Sequence, residues 1–347
     1  MPRAYTLCLI VSPGKRVTIR EVADAAGVSP AAVSYALRGI QVSEETQERV
    51  RKVAEELQYE AHPIARALAS GRTGMVGMLG PSLEDLWQQR LVAEAGRALL
   101  AHDYFALIVD AAGDPGRQRT LARQLRDQQV DGLILSPVDP SDPFWLELAE
   151  SVAVVSIGDA LAGADVAGEV LFDNRTGVTA ALEQLQALGH RRIALLRPPG
   201  SPTTDRPAEV LVSAEAVRLD LDVVVVSAPY ELEEATGVAR GVLTASERPS
   251  AAFCLCDSIA YGVYAAAREL GLTIPRDLSV IGYDNHPISE QLTPLLTSFD
   301  WDPNRLVRIA VDMILAAIEG TRGHRRHVRI EPTIRVREST ARLNSRI

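Results

Sequence analysis

Apolar residues recur at two different periods along this 347-residue chain. From Met75 onward they gather into short runs: "MVGMLG", "YFALIVDA", "VDGLILSP", "VAVVSIGD", "EVLFDN", "RRIALLRP", "DVVVVSAP", "SAAFCLCD" and "LSVIGYDN". Between most of them lie amphipathic stretches of helical period, such as residues 115–129, 175–188 and 258–270. Apolar strands that alternate with helices predict parallel sheets covered on both faces. About ten strands is more than one such sheet usually holds, so the pattern predicts two doubly wound α/β lobes. "LTSFDWD" (296–302) and "RRHVRIEPTIRV" (325–336) follow the second set and are placed to cross back between the lobes.

Ahead of Met75 the period is helical. Thr18 and Glu21 have the spacing of a capping box, which satisfies the first free amides of a helix. Ala26-Gly27-Val28 supplies a turn. Ser29 is a cap for a second helix, with Pro30 at the first position, where a missing N–H costs nothing, and Gly39 as the stop. In that helix Val33, Ala36 and Leu37 share one face, while Ala31, Ser34, Tyr35 and Arg38 share the other. A third helix from Ser43 is expected to bury Val50, Val53, Ala54 and Leu57. Such a trio closes a small core and leaves the 31/34/35/38 face open, as a helix entering a DNA major groove requires. A helical hairpin that packs only on other protein has the same pattern. "HPIARALASGRTG" (62–74) carries little apolar surface beyond Ile64 and Leu68 and is too short to hold a helix alone. It is expected to become helical only against a partner.

Charge separates the same two regions. The net charge is −9, yet the first 74 residues carry ten Lys/Arg against eight Asp/Glu, and the other 273 carry 26 against 37. A weakly basic module thus precedes an acidic one, and the total does not argue against nucleic acid. Cys8, Cys254 and Cys256 make no disulfide framework and fit a reducing compartment. No apolar run reaches membrane-spanning length. "YTLCLIV" has one arginine before it and no cleavage site after it, so export is not expected and the cytoplasm is predicted. The chain has no Gly-x-Gly-x-x-Gly after a strand, no P-loop and no nucleophile elbow. "CLC" has the wrong spacing for a common zinc or redox motif, and His324 and His327 flank two arginines in a predicted loop. Catalysis, a cofactor and a metal are therefore not expected. A transport receptor would share the lobes but not residues 17–74.

"VTIREVADAAGVSPAAVSYALRG", then "VSEETQERVRKVAEELQYEAHPIARALASGRTGMVGML", resembles the headpiece and hinge of the LacI/GalR family of bacterial transcription repressors. The likeness continues through "DNRTGVTAALEQLQALGHRRIALL", "RPSAAFCLCDSIAYGVYAAARELGLTIPRDLSVIGYDN" and "LTPLLTS", covering essentially residues 17–337. It implies an all-α helix-turn-helix headpiece plus an α/β effector domain of two periplasmic-binding-protein-like lobes. Residues 1–16 would be an N-terminal extension, 17–61 the headpiece and 62–74 a hinge helix with its linker. The N-terminal lobe would take 75–188 plus 298–328, and the C-terminal lobe 189–297 plus 329–340.

The resemblance further implies a homodimer on a pseudo-palindromic double-stranded operator, controlled by a sugar or sugar-like effector held between the lobes. Carried over residue by residue, the DNA-binding set is Thr18, Ser29, Pro30, Ala31, Ser34, Tyr35 and Arg38, with His62, Arg66 and Leu68 in the hinge. Leu68 matches a leucine that wedges into the minor groove. The carboxyl ends of parallel strands, where ligands of such sheets sit, nominate Asp110, Ser136, Asp257, Asp284 and Asn285. The resemblance adds Arg206, Trp87 as a ring that stacks on a sugar, and Cys256. Eight residues follow Ser339 without a leucine heptad, which implies a dimer rather than a tetramer. The chain also departs from its relatives. Tyr35 stands where arginine is common, Cys256 where asparagine is, and Glu209 where glycine is, and "LEDLWQ" replaces an Asn-Pro-Phe-Phe-like turn. An unusual operator and an altered effector are the expected results.

Overall fold

The structure is a computed structural model and describes residues 17–37, 39–59, 71–199, 207–321 and 327–343. It divides into two units, residues 1–73 and 74–347. In the first, α1 (Ile19–Ala26), α2 (Pro30–Leu37) and α3 (Glu44–Glu56) close on Val22, Ala23, Ala26, Val33, Ala36, Val50 and Ala54. The capping box forms: the Glu21 amide donates to Thr18 Oγ1 at 3.4 Å, and the Thr18 amide donates to Glu21 Oε2 at 2.7 Å. Gly27 turns the chain in the left-handed region (φ 68°), where a side chain would strain the backbone. The Ala32 amide donates to Ser29 Oγ at 3.1 Å, which caps α2. The alanines let the helices approach closely, so the core closes before the last turn of α2. Leu37 is consequently exposed rather than buried, while Val53 and Leu57 lie half-buried at the rim.

The second unit contains two six-stranded sheets. β1 (Met75–Gly80), β2 (Phe105–Asp110), β3 (Gly132–Leu135), β4 (Ala153–Gly158), β5 (Gly168–Phe172) and β11 (His327–Ile330) run parallel in the order β11-β5-β4-β3-β1-β2. The other sheet comprises β6 (Arg192–Arg197), β7 (Asp222–Ser227), β8 (Ala251–Cys254), β9 (Ser279–Tyr283), β10 (Thr297–Asp300) and β12 (Thr333–Arg335). Its order is β12-β10-β9-β8-β6-β7, parallel except for β12 against β10. The intervening helices are α4 (Leu86–Leu100), α5 (Pro115–Asp127), α6 (Phe144–Ser151), α7 (Asn174–Ala187), α8 (Pro207–Arg218), α9 (Leu232–Leu243), α10 (Asp257–Glu269) and α11 (Pro303–Glu319). Every apolar run named above forms one strand. The inner strands β3, β8 and β9 are wholly buried, whereas the edge strands β2 and β7 are half exposed.

The lobe boundaries differ from those implied by the resemblance, which cut after 188, 297 and 328. Helix α7 packs on α8 and meets β12, so it belongs to the second lobe and the first crossing lies at Asp173. Strand β10 pairs with β9 (Thr297↔Ile281), so the second crossing follows Asp300. Strand β11 pairs with β5 along all of His327–Ile330, so the third follows Ile330. Apolar runs locate strands; they do not tell which sheet edge a strand joins.

One apolar cluster runs through both lobes, and its aromatic rings track the crossings. Trp87 meets Phe172 edge-on at 6.4 Å, Phe172 meets Trp301 at 4.5 Å, and Trp301 meets Tyr283 at 5.4 Å. At the far end of the second lobe, residues 336–343 strap across the sheet. The Val280 amide donates to the Ser339 carbonyl and the Ser339 hydroxyl returns a bond to the Val280 carbonyl. His190 is buried there, with Nδ1 2.9 Å from Ser250 Oγ and Nε2 3.1 Å from the Ala341 carbonyl. A carbonyl only accepts, so the ring proton sits on Nε2, and burial holds the imidazole below its usual range.

Candidate functional site

Two surfaces collect the residues singled out above. On the first unit, Pro30 and Ala31 are exposed and Ser34 and Tyr35 half exposed, all on the side of α2 away from Val33 and Ala36. Ser29 accepts an amide with its hydroxyl oxygen and keeps its O–H to give. Thr18 is committed differently: its hydroxyl both accepts from the Glu21 amide and donates to Glu21 Oε2 at 2.9 Å. Arg38, His62, Arg66 and Leu68 lie outside the described residues.

On the second unit a cleft lies between the lobes, lined by Glu84 and Leu86 of the first and by Ser258, Tyr261 and Tyr264 of the second; the described residues nominated above lie outside that lining. Asp110 accepts from the amides of Leu83 (3.1 Å) and Ala112 (2.9 Å), so its carboxylate braces two rim loops. Ser136 ends β3, and its carbonyl accepts from the Gln118 side chain at 2.9 Å. Trp87 is 5 % exposed within the interlobe core; Phe172 and Trp301 draw it inward, and it does not present a ring to the cleft as expected. Asp257 also points inward. It accepts from Ser298 Oγ (2.6 Å), Ser289 Oγ (2.6 Å) and the His286 amide (2.8 Å), and Gly282 is glycine because a Cβ there would overlap this carboxylate. Its role is to hold the loop after β9. Arg206 lies outside the described residues.

Cys256 and Asp284 do come together, and they bring a third residue. Asp85, which caps α4 by accepting from the Trp87 amide at 3.1 Å, reaches across from the first lobe. Its one mark in the sequence is its place in "LEDLWQ". Burial pushes the Asp85 carboxyl up to about 7, helped by the Asp257 charge. Asp284 is also raised, by burial first and then by Asp85 and Asp257. Cys256 is raised by burial and by the two aspartates. Next to them Asn285 is held by Arg337, whose Nη2 donates to Oδ1 at 2.6 Å.

The unit order and this cleft have counterparts among known proteins. The profile of the bacterial regulatory proteins, lacI family, matches residues 18–62, and that of a periplasmic binding protein-like domain matches 182–340. The transcriptional repressor PurR of Pectobacterium atrosepticum is 30 % identical over 332 residues, spanning 93 % of this chain and 97 % of that protein. The chain belongs to the LacI family. The ribose operon repressor of Haemophilus influenzae is 29 % identical over 327 residues, covering 93 % and 98 % of the two chains. Among solved folds, a lac repressor dimer bound to operator and an anti-inducer superposes with a TM-score of 0.83 at 24 % identity, over 94 % of this chain and all of that one. A ribose-bound LacI-family regulator from Enterococcus faecium gives 0.69 at 21 %, over 78 % of this chain and all of that one.

Membership places the chain among regulators rather than enzymes. None of the described helices is long and apolar enough to cross a membrane. Within the LacI-family frame Asp85 is the one member of this corner not nominated from the sequence, because it comes from a loop of the other lobe.

Proposed function

We propose that this chain is a homodimeric transcriptional repressor acting in the cytoplasm, whose headpieces read a pseudo-palindromic operator. The observation that carries this reading is α2, whose outer side offers Pro30, Ala31, Ser34 and Tyr35 while its inner side closes the headpiece core. Ala31 and Pro30 give apolar contact to thymine methyls, Ser34 and Tyr35 single hydrogen bonds, and Ser29, Thr18 and Arg38 meet phosphates. No bidentate arginine–guanine contact is available at Tyr35, so half-site discrimination rests on shape and methyl contacts. In the hinge, His62 and Arg66 meet phosphates and Leu68 wedges into the minor groove at the operator centre, where the cost of unstacking a step is offset by contacts on bent DNA.

A sugar-class effector sits between the lobes, met by Asp110, Ser136, Cys256, Asp284 and Arg206, with Trp87 and Asp257 supporting the rim from behind. Its binding shifts one lobe against the other and changes the hinge spacing; the coupling is the difference in effector affinity between the two arrangements. The dimer uses both lobes, and the apolar residues left exposed on the edge strands, Phe105 and Ile108 on β2 and Val225 on β7, favour this.

The test is footprinting on DNA upstream of the chain's own gene, with random DNA beside it at two salt concentrations. Protection of an inverted repeat at salt that abolishes random binding is the expected result. Equal loss on both DNAs refutes operator reading. Leu68→Ala should lower specific binding far more than random binding, and equal losses remove the hinge role.

A further inference from the structure

Three ligand-capable side chains from opposite lobes meet at the corner described above. One carboxyl oxygen each from Asp85 and Asp284 and the sulfur of Cys256 lie within 4.8 Å of one another, and the residues are 6 %, 6 % and 3 % exposed. Two buried carboxyls so close either hold a proton between them or take a cation. Among the described residues no cationic side chain faces either carboxyl. Asp85 faces Asp257 and the Ser258 hydroxyl, Asp284 faces Asp85 and Asp257, and the guanidinium of Arg337 acts on Asp257 instead.

The thiol is a second, separate observation. Cys256 opens α10 without capping it by its side chain. Its buried sulfur lies beside the two carboxyl oxygens rather than on the first free amides of the helix, where a ligand atom of this corner would sit. The carboxyls are oriented too: Asp85 takes the Trp87 amide at 3.1 Å, and Asp284 takes the Asp257 amide at 3.3 Å. Outer contacts of this kind fix the direction of metal ligands.

We propose that Asp85, Cys256 and Asp284 bind a divalent transition-metal ion of the zinc class, which joins the two lobes across the cleft. One soft sulfur with two carboxylate oxygens suits zinc or cobalt; calcium and magnesium want six or more oxygens and no sulfur. Three protein ligands leave one position of a tetrahedral ion for water or for an effector hydroxyl. The ion then draws Asp85, on the first lobe, onto Cys256 and Asp284, on the second, and favours the closed arrangement. This inference does not depend on operator binding, so the two are tested apart.

The full-length protein, stripped with a chelator, is titrated with CoCl2 and followed by absorbance, and the cobalt is then displaced with ZnCl2. One cobalt per protomer is expected, with a near-ultraviolet sulfur-to-cobalt band that zinc removes. Cys256→Ser should abolish the band, and Asp85→Asn and Asp284→Asn should each weaken binding at least tenfold, with unchanged circular dichroism. If a variant proves unfolded, the comparison of wild type with Cys256→Ser decides alone, since that change is nearly isosteric. Absence of cobalt uptake by the wild type, or an undiminished band in Cys256→Ser, overturns the proposal.

Discussion

In the first lobe the carboxylate that closes β2, Asp110, takes two amides from neighbouring loops. In the second lobe the carboxylate that follows β8, Asp257, takes two serine hydroxyls and an amide from the loop after β9, the short 3₁₀ turn Pro287–Glu290 and β10. The first rim is thus tied through one carboxylate oxygen to two amides, and the second through both oxygens of Asp257 to three donors on three different elements. With more ties to lose, the second is the more fixed wall of the cleft.

Removing the fixed wall's hub should have the largest effect. Asp257→Ala leaves two hydroxyls and an amide buried without an acceptor, and the urea midpoint of the second unit should fall by the equivalent of about 3–5 kcal/mol. Asp110→Ala exposes its two loop amides to water and should cost about 1 kcal/mol. If the two losses are equal, the contrast between the rims is wrong.

Glycines on the two sheets sharpen the same contrast. A Cβ at Gly282 meets the Asp257 carboxylate, which three donors hold in place, and Gly282→Ala should cost about 3 kcal/mol. A Cβ at Gly132 meets the Ile314 side chain, at 2.7 Å from Cδ1 and 2.8 Å from Cγ1, a hydrocarbon that must turn but that no hydrogen bond holds. Gly132→Ala should cost about 1 kcal/mol by the same denaturation measurement.

Acid should weaken the second lobe at its strap. The His190 imidazole is held below its usual range, so the folded chain resists a proton that the unfolded chain accepts. Stability from this residue is complete above the unfolded value of about 6.5 and is lost as pH falls below it, with a slope of at most about 1.4 kcal/mol per pH unit. His190→Gln should flatten the melting temperature against pH in that window; an unchanged slope would place the proton elsewhere. The smallest effect is expected at Tyr283, whose buried hydroxyl has no hydrogen-bond partner among the described residues and fills the space a Cβ at Gly177 would take. Tyr283→Phe should leave the urea midpoint unchanged or raise it by up to about 1 kcal/mol.

What was legible in the sequence follows from range. The headpiece rests on contacts a few residues apart, so Thr18, Ser29, Pro30 and Gly27 could be placed from their spacing alone. The strands of the lobes were equally plain as apolar runs. Which sheet β10 and α7 join was not, because that depends on an edge vacant only once the other strands have paired. Trp87 misled for a related reason: an aromatic beside a strand end suits a ligand or a core, and only Phe172 and Trp301, remote in sequence, decide between them. Asp257 follows a strand end, where a ligand contact is expected, but the serines that turn it inward lie in segments that carry no motif. Asp85 escaped altogether, as an acidic residue in a turn of acidic residues.

The ring contacts at the crossings have a practical consequence. Two of the three tryptophans, Trp87 and Trp301, stand in the aromatic chain that links the lobes, each packed on Phe172. The third, Trp145, lies in a separate core of the first lobe with its indole N–H bound to the Asp139 carbonyl at 2.8 Å. Any relative movement of the lobes must alter the surroundings of two emitters and leave one undisturbed. The protein therefore carries an intrinsic fluorescence gauge of its own closure, with an internal standard, and unlabelled material suffices to follow a ligand or an ion entering the cleft.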